Sequence, residues 1–86
     1  MGATVNEKIR EIIGKHARLS VPATSLPEDA DLYAAGMTSQ ECVTIMVALE
    51  DEFRIEFPDH MLKRNVFESV VAIRSALLEI QGSTVA

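Results

Sequence analysis

Residues 38–41 read Thr-Ser-Gln-Glu, and Cys42, Ile45, Met46, Leu49 and Phe53 follow at spacings of three and four. This stretch limits the fold more than any other. A Thr with a Glu three residues later forms a capping box: the hydroxyl accepts from one unpaired backbone N–H and the carboxylate from another. The apolar spacing that follows marks one face of a helix. The pattern predicts a helix from Ser39 to Phe53. The same grammar opens the chain, where Thr4 and Glu7 precede Val5, Ile9, Ile12 and Ile13 and predict a helix over Val5–His16, weakened near its end by Gly14. Ser69 caps a last helix from Val70 to about Ile80, with Val70, Ile73, Leu77 and Ile80 facing inward and Gly82 stopping it. Phe57-Pro58 reads as an extended pair, after which Asp59 caps a short helix to about Lys63. No β-type alternation competes. The expected fold is all-α: a small four-helix bundle of three main helices and one short one, with a long ordered first loop.

At 86 residues the chain has room for one domain. Its core is expected over about residues 4–80, with 81–86 as a flexible tail. The connection from Ala17 to Met37 is long for so small a domain, and loops of that kind are functional or disordered. Leu19, Val21, Leu26, Leu32, Tyr33 and Met37 make it too apolar for disorder. It is expected to be pinned to the core by these side chains, with a short helical turn at Ala30–Ala34.

The formal net charge is −5, and it is unevenly placed. Residues 21–60 hold nine acids against the single base Arg54, whereas both ends are mildly basic. An acidic chain is a poor general binder of nucleic acid or anionic membrane. The acidic middle is either an ordinary solvated surface or a docking face for a basic partner. The start of the chain breaks its apolar residues with charges, so neither a signal peptide nor a membrane span is expected there. Gly2 lacks the Ser or Thr at position 6 that a myristoylation signal wants; Asn6 stands there. One cysteine allows no internal disulfide, which suits a reducing, cytoplasmic setting.

Few residues point to catalysis. His16 and His60 have no ligand-like or triad-like neighbours, and Cys42 reads as a small core hydrophobe. Asp29, Asp31 and Glu41 do not fit a calcium loop, because Tyr33 and Gln40 fall where oxygen ligands are needed. The chain is not expected to be an enzyme, or to hold a metal. Ser39 stands apart. It opens the second helix, where unpaired N–H groups and the helix dipole would stabilise a phosphate ester. It also reads as a tolerated first-turn residue, and position alone leaves both open. Val43 and Val47 lie off the core stripe of the same helix, where with Thr44, Glu50 and Asp51 they make a mixed apolar and acidic surface.

The segment DLYAAGMTSQECVTIMVALEDEFRIEFP resembles the acyl carrier protein family. Asp31-Leu32 matches the start of the family pattern; Gly36, Met37 and Ser39 match its centre; Leu49-Glu50-Asp51-Glu52-Phe53 matches the end of its helix. VFESVVAIRSAL, from Val66, resembles the family's final motif. The resemblance spans about residues 5–80. It implies that Ser39 receives 4′-phosphopantetheine from coenzyme A by the action of a phosphopantetheinyl transferase. The arm's thiol would then carry an acyl or aminoacyl group as a thioester. The resemblance also implies docking through the second helix, with Gln40, Val43, Val47, Glu50 and Asp51 on the contact face. The implied partners are a loading ligase and downstream acyl-transfer enzymes, served by a monomer. The alternative is an acidic helical interaction module that is never modified.

Three positions depart from the family pattern. Thr38 replaces the usual Asp before the serine, Gln40 the usual Leu after it, and Thr44 a common Glu. These departures imply a specialised stand-alone carrier that generic fatty-acid enzymes recognise poorly. One such branch carries aminoacyl groups loaded by ligases resembling aminoacyl-tRNA synthetases; carriers of secondary-metabolite acyl groups are another.

Overall fold

The computed structural model describes residues 4–83. Its helices are α1 (Val5–His16), α2 (Ser39–Phe53) and α3 (Val70–Ser83), joined by turns and short 3₁₀ segments. Helix α1 packs against both α2 and α3. The core lies where these faces meet: Ile9, Ile13, Ile45, Leu49 and Ile73 are fully buried, with Leu77 and Val70 beside them. The predicted starts of all three helices and the ends of the first two hold. Thr4 Oγ1 accepts from the Glu7 amide at 3.2 Å, and Ser69 Oγ from the Ala72 amide at 3.1 Å. Each hydroxyl satisfies an N–H that the helix itself cannot pair.

Two expectations need correction. The short helix at Asp59–Lys63 is a pair of 3₁₀ segments, Asp59–Met61 and Arg64–Phe67. Their bonds run to the third residue back, Met61 N–H to the Pro58 carbonyl and Val66 N–H to that of Lys63. Lys63 is extended (φ −127°, ψ 150°), which separates the two segments. Asp59 makes no cap bond, and Pro58 holds the cap position. The fold is therefore three α-helices with 3₁₀ connections. The second correction concerns the end of α3. Gly82 lies inside the helix, which runs to Ser83. A glycine costs a helix about 1 kcal/mol and does not by itself break it. Of the expected tail, residues 81–83 are helical, and 84–86 lie outside the described residues.

The first loop is ordered by backbone bonds as much as by side chains. Leu32 N–H donates to the Glu68 carbonyl at 2.7 Å and Val71 N–H to the Glu28 carbonyl at 2.9 Å, tying the loop to the start of α3. Leu32 and Met37 are buried, Leu19, Leu26 and Tyr33 pack against the core, and Val21 is exposed. Polar side chains clamp the other side. Glu28 accepts from Asn6 of α1 at 2.6 Å and from Arg74 of α3 at 3.2 Å, and Arg10 donates to the Ala23 and Leu26 carbonyls at 2.8 and 2.6 Å. The expected helical turn is present one or two residues later than predicted. Asp31 Oδ1 accepts from the amides of Tyr33 and Ala34, and Ala35 N–H bonds back to the Asp31 carbonyl. The carboxylate thus caps a single turn, which explains an Asp immediately before the buried Leu32.

Candidate functional site

The loop delivers the chain to α2 through a tight junction. Gly36 (φ +119°) ends the Asp31 turn, Met37 is buried, and Thr38 is the N-cap. The capping box is complete. Thr38 Oγ1 accepts from the Glu41 amide at 3.1 Å, and Glu41 Oε1 accepts from the Thr38 amide at 3.0 Å. The other Glu41 oxygen accepts from the Arg18 amide, just past α1, at 3.1 Å. One carboxylate therefore fixes the start of α2 and fastens it to the end of α1. The Thr38 amide, then the Arg18 amide, holds the Glu41 carboxyl below its ordinary pKa.

This arrangement gives two measurable expectations. Thr38→Ala removes the cap hydroxyl and should lower stability by about 0.5–2 kcal/mol, seen as a lower melting temperature. Glu41 is depressed in the folded state, so its contribution is present above the unfolded carboxylate pKa. It is lost as pH falls through the lower folded value. Glu41→Gln should accordingly reduce the stability gained between acid and neutral pH, with little difference from wild type in strong acid. Melting curves taken across the acid range check this.

Ser39 follows Thr38 at the first helical position of α2 and is exposed. Among the described residues its hydroxyl makes no hydrogen bond. It lines the edge of a cavity of about 380 Å³ between α2, the Asp31 turn and the 3₁₀ segments. Cys42, Val43 and Met46 of α2 form one wall; Leu62, Lys63, Arg64 and Phe67 form the other, with Tyr33 across the end. Tyr33 O–H donates to Cys42 Sγ at 3.3 Å, and the Arg64 guanidinium carbon stands 3.8 Å from the Tyr33 ring centroid. Burial, then the bond to Cys42, pushes the Tyr33 pKa up to about 12, so this phenol is a donor at neutral pH.

Cys42 is half-buried on this wall rather than sealed in the core, which modifies the sequence reading of it. The opposite wall was not foreseen as part of a site. The one signal for it is the Lys63-Arg64 pair, where the charge along the chain turns from acidic to basic.

The predicted contact face divides in two. Gln40, Val43, Val47 and Asp51 are exposed, the two valines at 56% and 54%. Glu50 is half-buried, and its carboxylate accepts from the Phe57 amide at 2.9 Å. That bond holds the chain where it leaves α2, so Glu50 has a structural task. His16 and His60 are exposed, and among the described residues no three His, Cys, Asp or Glu side chains converge on a possible metal position. No helix among these residues is long and apolar enough to cross a membrane.

An exposed serine at the start of a capped helix, lining one cavity together with Lys63 and Arg64, fits a phosphodiester-linked arm: the hydroxyl is accessible and the helix start favours an anion. Residues 7–74 match the family described as "Phosphopantetheine attachment site", and the chain belongs to that family. It is a carrier protein whose cofactor is covalent 4′-phosphopantetheine, as the sequence resemblance implied. The particular relatives narrow the class. The aminoacyl carrier protein of Agrobacterium fabrum is 42% identical over 73 residues, covering 85% of this chain and 88% of that protein. The carrier protein from Agrobacterium tumefaciens crystallised with an engineered Bradyrhizobium japonicum glycine:[carrier protein] ligase and ATP is another match. It is similar at 42% identity with a TM-score of 0.86, covering 90% of this chain and 100% of the matched chain. A solution structure from Agrobacterium tumefaciens is similar at 41% identity and a TM-score of 0.70, covering 94% and 99%.

Proposed function

We propose that Ser39 is the attachment serine and that the arm carries an aminoacyl group, loaded by a ligase that activates a small amino acid such as glycine. The observation that carries this is the placement of Ser39: exposed, first in α2, and inside the span matched by the attachment-site family. The relatives support an aminoacyl cargo, one by its name and one by the glycine ligase bound to it. A phosphopantetheinyl transferase supplies the arm. Lys63 and Arg64, which line the same cavity as Ser39, are the cations available to pair with its phosphate. When bound, the arm supplies a thiol that forms a thioester; the protein positions it and presents it to downstream acyl-transfer enzymes. We place the protein in the cytoplasm as a monomer, in keeping with its single cysteine.

The test is incubation with coenzyme A and a broad transferase, then with a glycine-activating ligase and ATP. Intact mass should rise first by one phosphopantetheine and then by one glycyl group. An arm that accepts acetyl or longer acyl groups from fatty-acid enzymes but no amino acid would overturn the cargo assignment.

The exposed part of α2 is the contact face in this reading, with Val43 and Val47 as apolar contacts and Asp51 as the charge that steers encounter. Thr38 and Gln40 disfavour generic fatty-acid enzymes. A partner shaped for Leu would have to desolvate the Gln40 amide without a matched hydrogen bond, at about 1–3 kcal/mol. Asp51→Lys should slow association with the loading ligase, and the difference from wild type should shrink as added salt shortens the Debye length below about 8 Å. Dissociation should change little. Glu50→Lys should instead lower the melting temperature, because it removes the acceptor for the Phe57 amide. Stopped-flow association rates and melting curves on both variants separate the two roles.

A further inference from the structure

A second cavity, of about 670 Å³, lies between the C-terminal half of α1 and residues 17–24 of the first loop. It shares no lining residue with the cavity beside Ser39. Gly14, Ala17 and Ala23 line it with little or no side chain, and a Cβ added at Gly14 would meet only the Ala23 methyl, at 3.8 Å. Leu19, Val21 and Pro22 supply its larger apolar surface. The sequence has Val21 pinning the loop to the core, yet this side chain is 41% exposed at the cavity instead.

Two guanidinium groups line the same cavity. Arg10 donates through one nitrogen to the Ala23 and Leu26 carbonyls, and Arg18 is exposed. Among the described residues neither has a carboxylate within ion-pair distance, in a chain with 13 acids against 8 Lys and Arg. The nearby acids are engaged elsewhere. Glu11, the one acid lining the cavity, stands 3.7 Å from the Lys15 ammonium. Glu41 feels the Arg18 charge, but its oxygens accept from the Thr38 and Arg18 amides. Both positive charges are thus open to an outside anion.

We infer that this cavity docks an extended acidic segment of a partner protein, with carboxylates on Arg10 and Arg18 and an apolar side chain against Leu19 and Val21. A small anion would leave the apolar surface uncovered. A nucleic acid would meet a net charge of −5, which repels a polyanion. A peptide segment brings a few carboxylates and an apolar group together, and the local charge draws it in. The exposed part of α2 has the opposite sign, through Asp51, and suits a basic surface. The two faces therefore select different partners, and the one that docks beside α1 need not displace the one on α2. The Arg18 amide bond to Glu41 joins this second face to the cap that precedes Ser39. Docking here needs no arm on Ser39, so its test is independent of that assignment.

The full chain, nitrogen-labelled, is titrated with the peptide acetyl-Asp-Glu-Leu-Val-Asp-Glu-amide and with a control in which Lys replaces every acid. The acidic peptide should move the backbone amides of Gly14, Ala17, Leu19 and Val21 to saturation, and the basic one should leave them in place. Arg18→Gln should weaken the acidic peptide about two- to fivefold, the worth of one exposed charge pair. Val21→Ser should weaken it as well, through lost apolar contact. Gly14→Gln fills the cavity with a good helix former, and should abolish saturation while the melting temperature holds or rises. No saturable shift from the acidic peptide, equal shifts from both peptides, shifts centred on α2, or Gly14→Gln protein that binds as wild type does overturns the inference. So does tighter binding at the same amides by a single-stranded oligonucleotide of equal charge, which would make this a nucleic-acid site.

Discussion

Ser39→Ala is expected to fold as the wild type does and to gain no phosphopantetheine at all. Among the described residues the hydroxyl makes no hydrogen bond, and the residue is exposed, so the fold there does not depend on its oxygen. Alanine is also a better helix former than serine, by a few tenths of a kcal/mol. The melting temperature should hold or rise slightly while modification falls to nothing. The measurement is intact mass after exhaustive incubation with coenzyme A and a transferase, read beside a melting curve. Ser20, Ser25, Ser69 and Ser75 offer no substitute. Ser69 is buried with its oxygen committed to the Ala72 amide, and Ser20 donates to the Ala35 carbonyl at 3.2 Å. Ser75 is exposed in the middle of α3, away from any helix start. Arm mass persisting on Ser39→Ala protein would move the site elsewhere.

The loss would be complete because attachment depends on one atom, whereas stability is spread over many. The same distinction explains what the sequence made legible. Helix starts are local: a Thr or Ser cap with its partner three residues on decides them, and Thr4, Thr38 and Ser69 all fall where expected. The exposure of Ser39 was legible for the same reason, since it stands beside the cap, whereas its reading as an attachment point came from the family resemblance. Features formed between distant segments were not. The hydrogen bond that occupies Glu50 comes from Phe57, beyond the end of α2, and no helical periodicity announces it. The far wall of the cavity comes from the 3₁₀ segments, flanked by Phe57 and Phe67, whose rings pack edge to face at 5.2 Å. Their sequence shows too few residues for any period to appear. Arg64 over Tyr33 likewise joins residues far apart in the chain, through a ring whose position depends on the ordered loop.

Gly36→Ala and Gly14→Ala should change stability in opposite directions, and the contrast tests how the site is held in place. Gly14 lies inside α1, where an added Cβ would meet only the Ala23 methyl at an ordinary 3.8 Å. Alanine there should stabilise by about 0.5–1 kcal/mol, the helix preference of alanine over glycine. Gly36 sits at φ +119°, a region that L-residues rarely adopt, and its Cβ would come within 3.2 Å of the Arg18 carbonyl oxygen. That oxygen belongs to backbone and cannot rotate away. Backbone strain of this kind costs about 1–3 kcal/mol. In a domain of this size each kcal/mol is worth roughly 4–8 °C in melting temperature, so Gly36→Ala should melt many degrees lower while Gly14→Ala melts higher. The damage at Gly36 should also reach function. The same close approach brings the Ser20 amide to the Ala35 carbonyl at 2.9 Å and the Arg18 amide to Glu41 at 3.1 Å. Pushing these backbones apart displaces the cap that sets the start of α2. Transfer of phosphopantetheine to Gly36→Ala should therefore slow even at temperatures where the protein is folded, and Gly14→Ala should be modified at the wild-type rate. Equal rates for all three proteins well below their melting points would mean that the loop junction sets stability alone and leaves the presentation of Ser39 to α2 itself.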